Sequence, residues 1–264
     1  MTEVFGNYSR YYNLLYEDKD YASEVDYIQG LLGRFSAQEP KTLLELGCGT
    51  GNHAFLLANK GYSVHGVDRS EQMVREALER GKKLHETAHL AQQGRGSLQF
   101  SQGDIRDVRL GGTFDCVLSL FHVISYQTDN QSLENAFATA RNHLESGGLF
   151  LFDVWYGPAV LTERPSVRIK RLHDETISVT RLAEPELHVE RNVVDVNYEL
   201  HMENLKTGER EKIRETHHMR YLFRPEIEYM LEKAGFVELL HSEEWLTGAE
   251  PGLNTWGVVF VARA

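Results

Sequence analysis

The chain has 264 residues, enough for one large domain or for a domain that carries a sizeable insertion. Its formal net charge of -11 repels a phosphate backbone, which argues against nucleic acid as a partner. The two cysteines, Cys48 and Cys116, give neither a disulfide framework nor a zinc spacing, and no stretch approaches the ~20 apolar residues of a membrane span. The start shows no apolar core of signal-peptide length, so we expect a cytoplasmic protein without a membrane partner.

Strands and helices alternate along the first 155 residues. Apolar residues at helical spacing predict a helix over 21–35, ahead of the first strand. Further on, strands are predicted at 41–47, 62–68, 98–104, 114–121 and 148–155, and helices at 51–61, 70–84 and 132–144. Two of these strands are apolar almost throughout, which is typical of a parallel sheet that is covered by helices on both faces.

The pattern changes after Trp155. Apolar and polar residues alternate between 194 and 202, and the alternation resumes at Met219, Tyr221 and Phe223 after a turn. Two earlier segments indicate strands as well, at 166–172 and 176–182. A helix that ends before Gly235 and two final strands, at 236–246 and 255–264, then return to the first pattern.

These elements predict a doubly wound α/β fold with a mostly parallel seven-stranded sheet and an inserted antiparallel β-sheet. We expect residues 1–155 and 224–264 to form the core with an N-terminal helical cap, and residues 156–223 to form the insertion. Ligands of open α/β sheets bind at the carboxyl ends of the strands, so residues that follow the strands are the first candidates for a site.

The turn after the first strand, GCGTG, is rich in glycine. Such a turn exposes backbone N–H groups to a ligand, although tight packing of a helix on a strand also demands glycine. Asp68 ends the next strand about 20 residues on, where it can accept both hydroxyls of a ribose or cap the following helix. Asp104 follows the third strand, where an adenine amino group would meet it. Three features at consecutive strand ends predict a nucleoside site.

The glycine spacing differs from the G-x-G-x-x-G fingerprint of dinucleotide-binding sheets, which argues against a nicotinamide-dependent oxidoreductase. The segments ELGCGTG, GVD and GDIRD, in this order, resemble the class I S-adenosylmethionine-dependent methyltransferases over residues 41–154. The resemblance implies S-adenosylmethionine as the cofactor, with glycines along its methionine part, Asp68 at the ribose, Asp104 beside the adenine and Leu120 behind the sulfonium. The cofactor-binding residues that it implies in these segments and next to them are Glu45, Gly47, Gly49, Gly51, Asn52, Asp68, Arg69, Met73, Asp104, Ile105 and Leu120.

The N-terminal segment YYNLLYEDKDYASEVDYI and the insertion after the fifth strand are similar to those of bacterial aminosugar N,N-dimethyltransferases. This resemblance implies a small-molecule acceptor, the amino group of a nucleotide-linked aminosugar, with the inserted sheet covering the acceptor site. It also implies that Tyr12 and Tyr21 close over the methionine carboxylate and that Tyr8 reaches the substrate. The chain departs from that family at Tyr126, where those enzymes carry a histidine credited with a catalytic role. The departure leaves an O-methyltransferase open.

The chemistry needs alignment of the acceptor and, for a protonated acceptor, a base. His122 follows the fourth strand and suits general-base work, with a structural histidine as the alternative. Tyr126 and Tyr8 are further catalytic candidates, each with ordinary packing as the alternative. A metal needs carboxylates clustered at adjacent strand ends, whereas Asp153 stands alone, so we expect none.

Four residues are predicted to bind the acceptor, and they are Trp155, Tyr156, His217 and Arg220. Basic residues of the insertion and the following helix are possible phosphate partners, namely Arg168, Lys170, Arg171, Arg181, Arg220 and Arg224. A protein that holds the cofactor without catalysis also remains open, and we expect a monomer or a homodimer.

Overall fold

The computed structural model describes residues 15, 16, 18–87 and 96–264 of the chain. The elements up to the insertion are α1 (Tyr21–Phe35), β1 (Thr42–Leu46), α2 (Asn52–Asn59), β2 (Ser63–Asp68), α3 (Glu71–Thr87), β3 (Leu98–Gln102), β4 (Phe114–Ser119), α4 (Asn130–Asn142) and β5 (Leu144–Tyr156). The insertion contains α5 (Gly157–Glu163), β6 (Arg168–His173), β7 (Ile177–His188), β8 (Val193–Asn204) and β9 (Arg210–Leu222). The chain then adds α6 (Arg224–Lys233), β10 (Glu238–Glu244) and β11 (Gly257–Arg263).

Seven strands form the main sheet, in the order β3-β2-β1-β4-β5-β11-β10. Strands β1 to β5 pair in parallel, and β11 runs antiparallel between β5 and β10. The predicted doubly wound, mostly parallel sheet is therefore confirmed. The order reverses between β1 and β4, so the carboxyl ends of these strands border the crevice in which such sheets bind ligands.

The two faces of the main sheet carry separate apolar clusters. Leu43 packs on the face covered by α1 and α2, whereas Leu44 and Leu46 of the same strand pack on the face covered by α4 and α6. This alternation follows from the two-residue period of a strand. Phe152 lies at the centre of the second cluster and stacks on Phe150, with ring centroids 4.5 Å apart.

The insertion is antiparallel, with β6, β7, β8 and β9 paired in chain order. Its last strand pairs in parallel with the end of β5 through Trp155 and Tyr156, so the inserted sheet continues from the main sheet beside β4. The sequence did not predict this parallel pairing, because only two residues of each strand take part. The domain boundaries themselves stay a prediction.

Strand β7 extends beyond its predicted end at residue 182 through Pro185 to His188. A proline lacks the N–H that a central strand needs, which is why this segment did not read as strand. The last pair between β6 and β7 is Arg168 with Ala183, so Pro185 borders a strand on one side only. In the described part of the chain, no helix has the length and apolar character to span a bilayer.

Candidate active site

The glycine loop joins β1 to α2 at the carboxyl edge of the sheet. Gly47, Gly49 and Gly51 all have positive φ angles, of 82°, 55° and 81°, which residues with a Cβ rarely adopt. A Cβ on Gly47 would lie 2.5 Å from Val123, so that glycine permits close packing. A Cβ on Gly49 would meet no described atom within 4 Å. Gly49 therefore borders open space along the loop. Close packing explains the glycine at position 47, whereas exposure of the backbone to a ligand fits the glycine at position 49.

Asp68 ends β2 beside this loop. Its Oδ2 accepts a hydrogen bond from the N–H of Gly49 at 2.9 Å, and its Oδ1 accepts one from the N–H of Ser70 at 2.8 Å. Burial raises the pKa of the carboxyl group, and these two backbone donors oppose the shift. A ligand hydroxyl would be a further donor to this carboxylate. Asp68 thus ties the glycine loop to the start of α3, and its binding of a ribose stays a prediction.

Asp104 follows β3, and Arg106 holds it. The guanidinium of Arg106 donates from Nε and Nη2 at 2.9 Å and 2.6 Å. Burial acts to raise the pKa of Asp104, but the hydrogen bonds and charge of Arg106 outweigh burial and lower it. The carboxylate is therefore kept ionised as an acceptor, and Ile105 beside it is buried in the core.

The other predicted cofactor residues divide into two groups. Leu120 and Met73 are buried, whereas Arg69 is exposed and its carbonyl accepts a hydrogen bond from Gln102. The Asn52 side chain accepts a hydrogen bond from Arg80 of α3 at 2.7 Å, which connects the start of α2 to α3. Tyr8 and Tyr12 lie outside the described residues, which leaves their predicted roles as they were.

A buried polar network connects α1 to the glycine loop. His53 Nε2 lies 2.7 Å from Glu24 Oε2, and its Nδ1 lies 3.6 Å from Glu45 Oε1. Burial lowers the pKa of His53, but the two carboxylates outweigh it and raise the pKa. Lys19 pairs with Glu24 and lies 4.4 Å from the centroid of the Tyr21 ring. Glu24 and His53 were not predicted from the sequence, because neither belongs to a recognisable motif.

His122 lies directly after Leu120 and Phe121 at the end of β4. Its Nδ1 is 2.6 Å from Oδ2 of Asp153, in contact although not aligned as a hydrogen bond, and its backbone N–H points to the same carboxylate. Asp153 is 2% exposed at the end of β5. Phe121 and His122 have φ angles of 63° and 62°, a local strain of the kind that clusters at functional sites. The sequence does not reveal this pair, because Asp153 appears there only as an isolated carboxylate at a strand end.

Tyr126 contacts the inserted sheet from the turn after β4. Its hydroxyl lies 2.8 Å from Nδ1 of His217 on β9, and Nε2 of His217 lies 3.4 Å from Oε2 of Glu215. The Tyr198 ring of β8 packs edge-on against His217 at 4.8 Å. His217 therefore lies buried on the inner face of the inserted sheet, and its predicted binding of the acceptor stays a prediction.

The remaining predicted acceptor residues do not all join this group. Trp155 lies near His122, with ring centroids 6.4 Å apart, whereas Tyr156 packs into the core cluster on the α4 side. Arg220 lies three residues from His217 along β9 and points to the outer face, where it pairs with Glu226 and donates to Asn130. His217 and Arg220 therefore lie on opposite faces of β9, because residues an odd number of positions apart along a strand point to opposite faces. Their binding of the acceptor stays a prediction.

The basic residues of the insertion are also divided between the faces. Arg181 lies on the inner face, where its guanidinium stacks on the Tyr198 ring at 5.2 Å. Lys170 binds Asp18 and the carbonyl of Leu15, and Arg224 pairs with Glu228 one helical turn away. Among the described residues, no cluster of three or more His, Cys, Asp or Glu side chains has metal-binding geometry.

Comparison with known proteins identifies the domain. Residues 43–148 match the family described as a methyltransferase domain. This part of the chain is a methyltransferase domain. It contains the glycine loop, Asp68, Asp104 and His122, so the resemblance to class I S-adenosylmethionine-dependent methyltransferases is confirmed.

Relatives of the methyltransferase domain include two enzymes that act on aminosugars. The chain is 32% identical to the dTDP-3-amino-3,4,6-trideoxy-α-D-glucopyranose N,N-dimethyltransferase of Streptomyces venezuelae, over 58% of this chain and 59% of the relative. It is 26% identical to the dTDP-3-amino-3,6-dideoxy-α-D-glucopyranose N,N-dimethyltransferase of Streptomyces fradiae, over 73% and 70%. The first match thus spans less than two thirds of that relative.

The whole chain shares its fold with a solved amino pentose methyltransferase. That enzyme, from Micromonospora echinaspora with S-adenosylmethionine bound, superposes with a TM-score of 0.73 over 100% of this chain and 99% of its own. The sequence identity is 22%, so this likeness shows the fold, including the inserted sheet, and leaves the site residues as predictions.

Proposed function

We propose that this protein transfers the methyl group of S-adenosylmethionine to the amino group of a nucleotide-linked aminosugar. The observation that carries the proposal is the gathering of three groups at one edge of one sheet. These are the open glycine loop after β1, the Asp68 carboxylate at the end of β2, and the pair of His122, after β4, with Asp153 of β5. Two relatives that act on dTDP-linked aminosugars support the choice of acceptor.

The residues at this edge fit the cofactor. The space beside Gly49 accommodates a ligand against bare backbone, and Asp68 offers a carboxylate whose burial favours additional hydrogen-bond donors. Asp104, kept ionised by Arg106, is an acceptor for an exocyclic amino group. When bound, S-adenosylmethionine supplies an electrophilic methyl group on a sulfonium. The protein's part is to orient the acceptor towards that methyl group and to exclude water.

His122 handles the proton of the acceptor. An alkyl ammonium has no lone pair, so its nitrogen must lose a proton before it can act as a nucleophile. Contact of Nδ1 with Asp153 favours the tautomer that carries its proton on Nδ1, which leaves Nε2 as the basic nitrogen. His122 is about a quarter exposed, whereas Asp153 is almost fully buried. This arrangement of a buried orienting carboxylate and an accessible imidazole suits a general base.

The inserted sheet supplies the acceptor side. On its inner face, His217 contacts Tyr126, the Tyr198 ring packs on His217, and the Arg181 guanidinium lies over the Tyr198 ring. Arg181 is a suitable partner for a diphosphate, because a guanidinium stacked on an aromatic ring is oriented in advance for bidentate hydrogen bonding. The aromatic rings there offer surfaces for a deoxysugar, which has fewer hydroxyl groups than an ordinary hexose.

The test pairs binding with turnover. We expect S-adenosylhomocysteine to raise the melting temperature of the protein and NAD to leave it unchanged, because only a ligand of the native state stabilises it. With S-adenosylmethionine, dTDP-3-amino-3,6-dideoxy-α-D-glucopyranose should gain methyl groups on nitrogen, measured by mass spectrometry. The matched control is the sugar nucleotide with a hydroxyl in place of the amine, which should not react.

Three results would contradict the proposal in different ways. If NAD stabilised the protein and S-adenosylhomocysteine did not, the proposed methyltransferase activity would be wrong. Methylation of the hydroxyl control in preference to the amine would make the protein an O-methyltransferase. If the protein bound S-adenosylhomocysteine but methylated no aminosugar nucleotide, the proposal of an aminosugar acceptor would be wrong.

A further inference from the structure

Lys19 connects the start of α1 to the turn that carries His122. Its ammonium group lies 4.1 Å from the centroid of the Phe121 ring and 4.4 Å from that of the Tyr21 ring. It also pairs with Glu24 of α1, and 16% of the Lys19 side chain is exposed. A cation over an aromatic face is attracted by the negative charge of the ring face, and the attraction grows when water is excluded. Lys19 therefore makes a stabilising contact with Phe121, the residue before His122.

Glu24 fixes the ammonium group of Lys19 from within the core. The Glu24 carboxylate is buried, lies 2.7 Å from Nε2 of His53 and accepts a hydrogen bond from the indole N–H of Trp245 at 3.1 Å. Burial acts to raise the pKa of Glu24, but the hydrogen bond to His53 and the charge of Lys19 outweigh burial and lower it to about 2. The carboxylate is therefore ionised at neutral pH and holds the cation over Phe121.

Phe121 and His122 have a backbone conformation that needs such support. Their φ angles are 63° and 62°, in the left-handed region where the Cβ atom crowds the backbone. A backbone of this kind persists only where the surrounding structure holds it. One support is the N–H of His122, which donates to Oδ2 of Asp153 at 3.1 Å. Another is the packing of the Phe121 ring against Lys19 and, edge-on at 5.0 Å, against Tyr16.

We propose that Lys19 is a positioning residue that holds Phe121, and through it the His122 imidazole, in the geometry for proton removal. This inference rests on the proposed function, because it takes His122 as the base. Lys19 acts through the Phe121 ring and needs no contact with the substrate. Without the cation, Phe121 and His122 relax towards ordinary backbone conformations, and the imidazole spends less time against Asp153.

Lys19→Met tests the cation, because it removes the charge and keeps most of the length of the side chain. His53 and Trp245 remain as partners of Glu24, so we expect this variant to fold. With the amine substrate, kcat should fall about tenfold, as expected for a partly desolvated cation–π contact, with the affinity for S-adenosylhomocysteine unchanged. Lys19→Arg keeps a cation that stacks on an aromatic ring, so it should retain most of the wild-type rate.

Two further variants show whether the effect passes through the Phe121 ring. Phe121→Leu should lower kcat by a factor similar to that of Lys19→Met, and the double variant should be no slower than the slower single variant, because both changes remove one contact. The matched control is Lys60→Met. It breaks the exposed ion pair of Lys60 with Asp26 of α1 and should turn over like wild type.

A measurement without turnover separates this inference from the proposed function. Relaxation-dispersion NMR detects exchange between conformations on the microsecond-to-millisecond timescale. The ring signal of His122 is assigned by its absence from His122→Asn. We expect exchange of this ring in Lys19→Met and Phe121→Leu, and none in the wild type, Lys19→Arg or Lys60→Met.

Wild-type kcat and a His122 ring without exchange in Lys19→Met would overturn the inference and leave the proposed function intact. Unchanged kcat with weaker binding of S-adenosylhomocysteine would also overturn it, because Lys19 would then serve the cofactor. Additive losses in the double variant would show that Lys19 and Phe121 act independently. If Lys19→Met fails to fold, wild-type kcat and a rigid His122 ring in Phe121→Leu would overturn the inference. Exchange in Lys19→Met, in a protein that methylates no aminosugar nucleotide, would support the positioning of His122 and reject the proposed acceptor.

Discussion

The main sheet and the inserted sheet build their sites by different rules. In the main sheet, the glycine loop, Asp68 and Asp104 follow β1, β2 and β3 in order, so parallel strands bring them to one edge automatically. In the inserted sheet, His217 gains its role through the two-residue period of β9 and through contact with Tyr126 on the core. Sequence order therefore determines the positions of the residues that we assign to the cofactor, whereas strand register determines those that we assign to the acceptor.

The contrast is sharpest within β9 itself. His217 lies on the inner face against Tyr126, and its neighbour His218 lies on the outer face against Asp195. A shift of one residue in register would exchange the two histidines. Substitutions on the inner face of β9 should therefore lower activity, whereas substitutions on its outer face should change only the stability of the protein.

The largest expected effect concerns His122 on the core side of the acceptor region. His122→Asn keeps some hydrogen bonding but cannot take a proton near neutral pH, so kcat should fall roughly 10²-fold or more. Steady-state kinetics with the amine substrate measure this, and calorimetry should show unchanged affinity for S-adenosylhomocysteine. The loss should shrink at high pH, where the amine supplies its own neutral form.

Asp153→Asn tests the same pair from the other side. It removes the negative charge next to His122 and keeps the shape of the side chain. Its kcat should fall in the same direction and by a smaller factor. A His122→Asn enzyme that turns over like wild type at all pH values would show that catalysis needs alignment alone.

Asp68 tests the cofactor side. Asp68→Ala removes a carboxylate that we assign to the ribose, and its affinity for S-adenosylhomocysteine should fall about 10- to 100-fold, the range for hydrogen bonds to a charged group. Ser70→Ala is the control, because the Ser70 hydroxyl accepts from the N–H of Met73 at the start of α3. It should cost about 1 kcal/mol of stability and leave affinity unchanged. Equal affinity in wild type and Asp68→Ala would reduce Asp68 to a helix cap.

The smallest effect on activity is expected at Arg220. Arg220→Gln breaks the pair with Glu226, and the free energy of unfolding should fall by about 1–3 kcal/mol because Arg220 is buried. The exposed pair of Arg224 with Glu228 gives the control, for which Arg224→Gln should cost less than about 0.5 kcal/mol. Denaturant unfolding measures both. A folded Arg220→Gln enzyme with impaired turnover would assign function to the outer face.

Much of the core was predictable because its information is local. The alternation of strands and helices, the glycine loop and Asp68 all appear as short patterns along the chain, and the structure places them at one edge. Asp153 and Glu215 escaped prediction because each acquires its partner only through folding. His122 and Asp153 are 31 positions apart, and no spacing rule connects them.

The opposite faces of His217 and Arg220 were readable from the sequence, because His217 is in phase with the alternating residues Met219 and Tyr221 and Arg220 is not. The network of Glu24 and His53 was missed for a further reason. It connects the helix before the first strand to the helix after the glycine loop, and two helices carry no pairing pattern that reveals which of their residues meet.

A crystal structure of the protein with S-adenosylhomocysteine and dTDP-3-amino-3,6-dideoxy-α-D-glucopyranose would locate both ligands. We expect the cofactor along the glycine loop with its ribose on Asp68, and the sugar nitrogen within hydrogen-bond distance of His122 Nε2. The sugar nucleotide would then lie under the inner face of the inserted sheet. An acceptor bound instead at the outer-face cleft lined by Asn130, His218 and Arg220 would contradict the account.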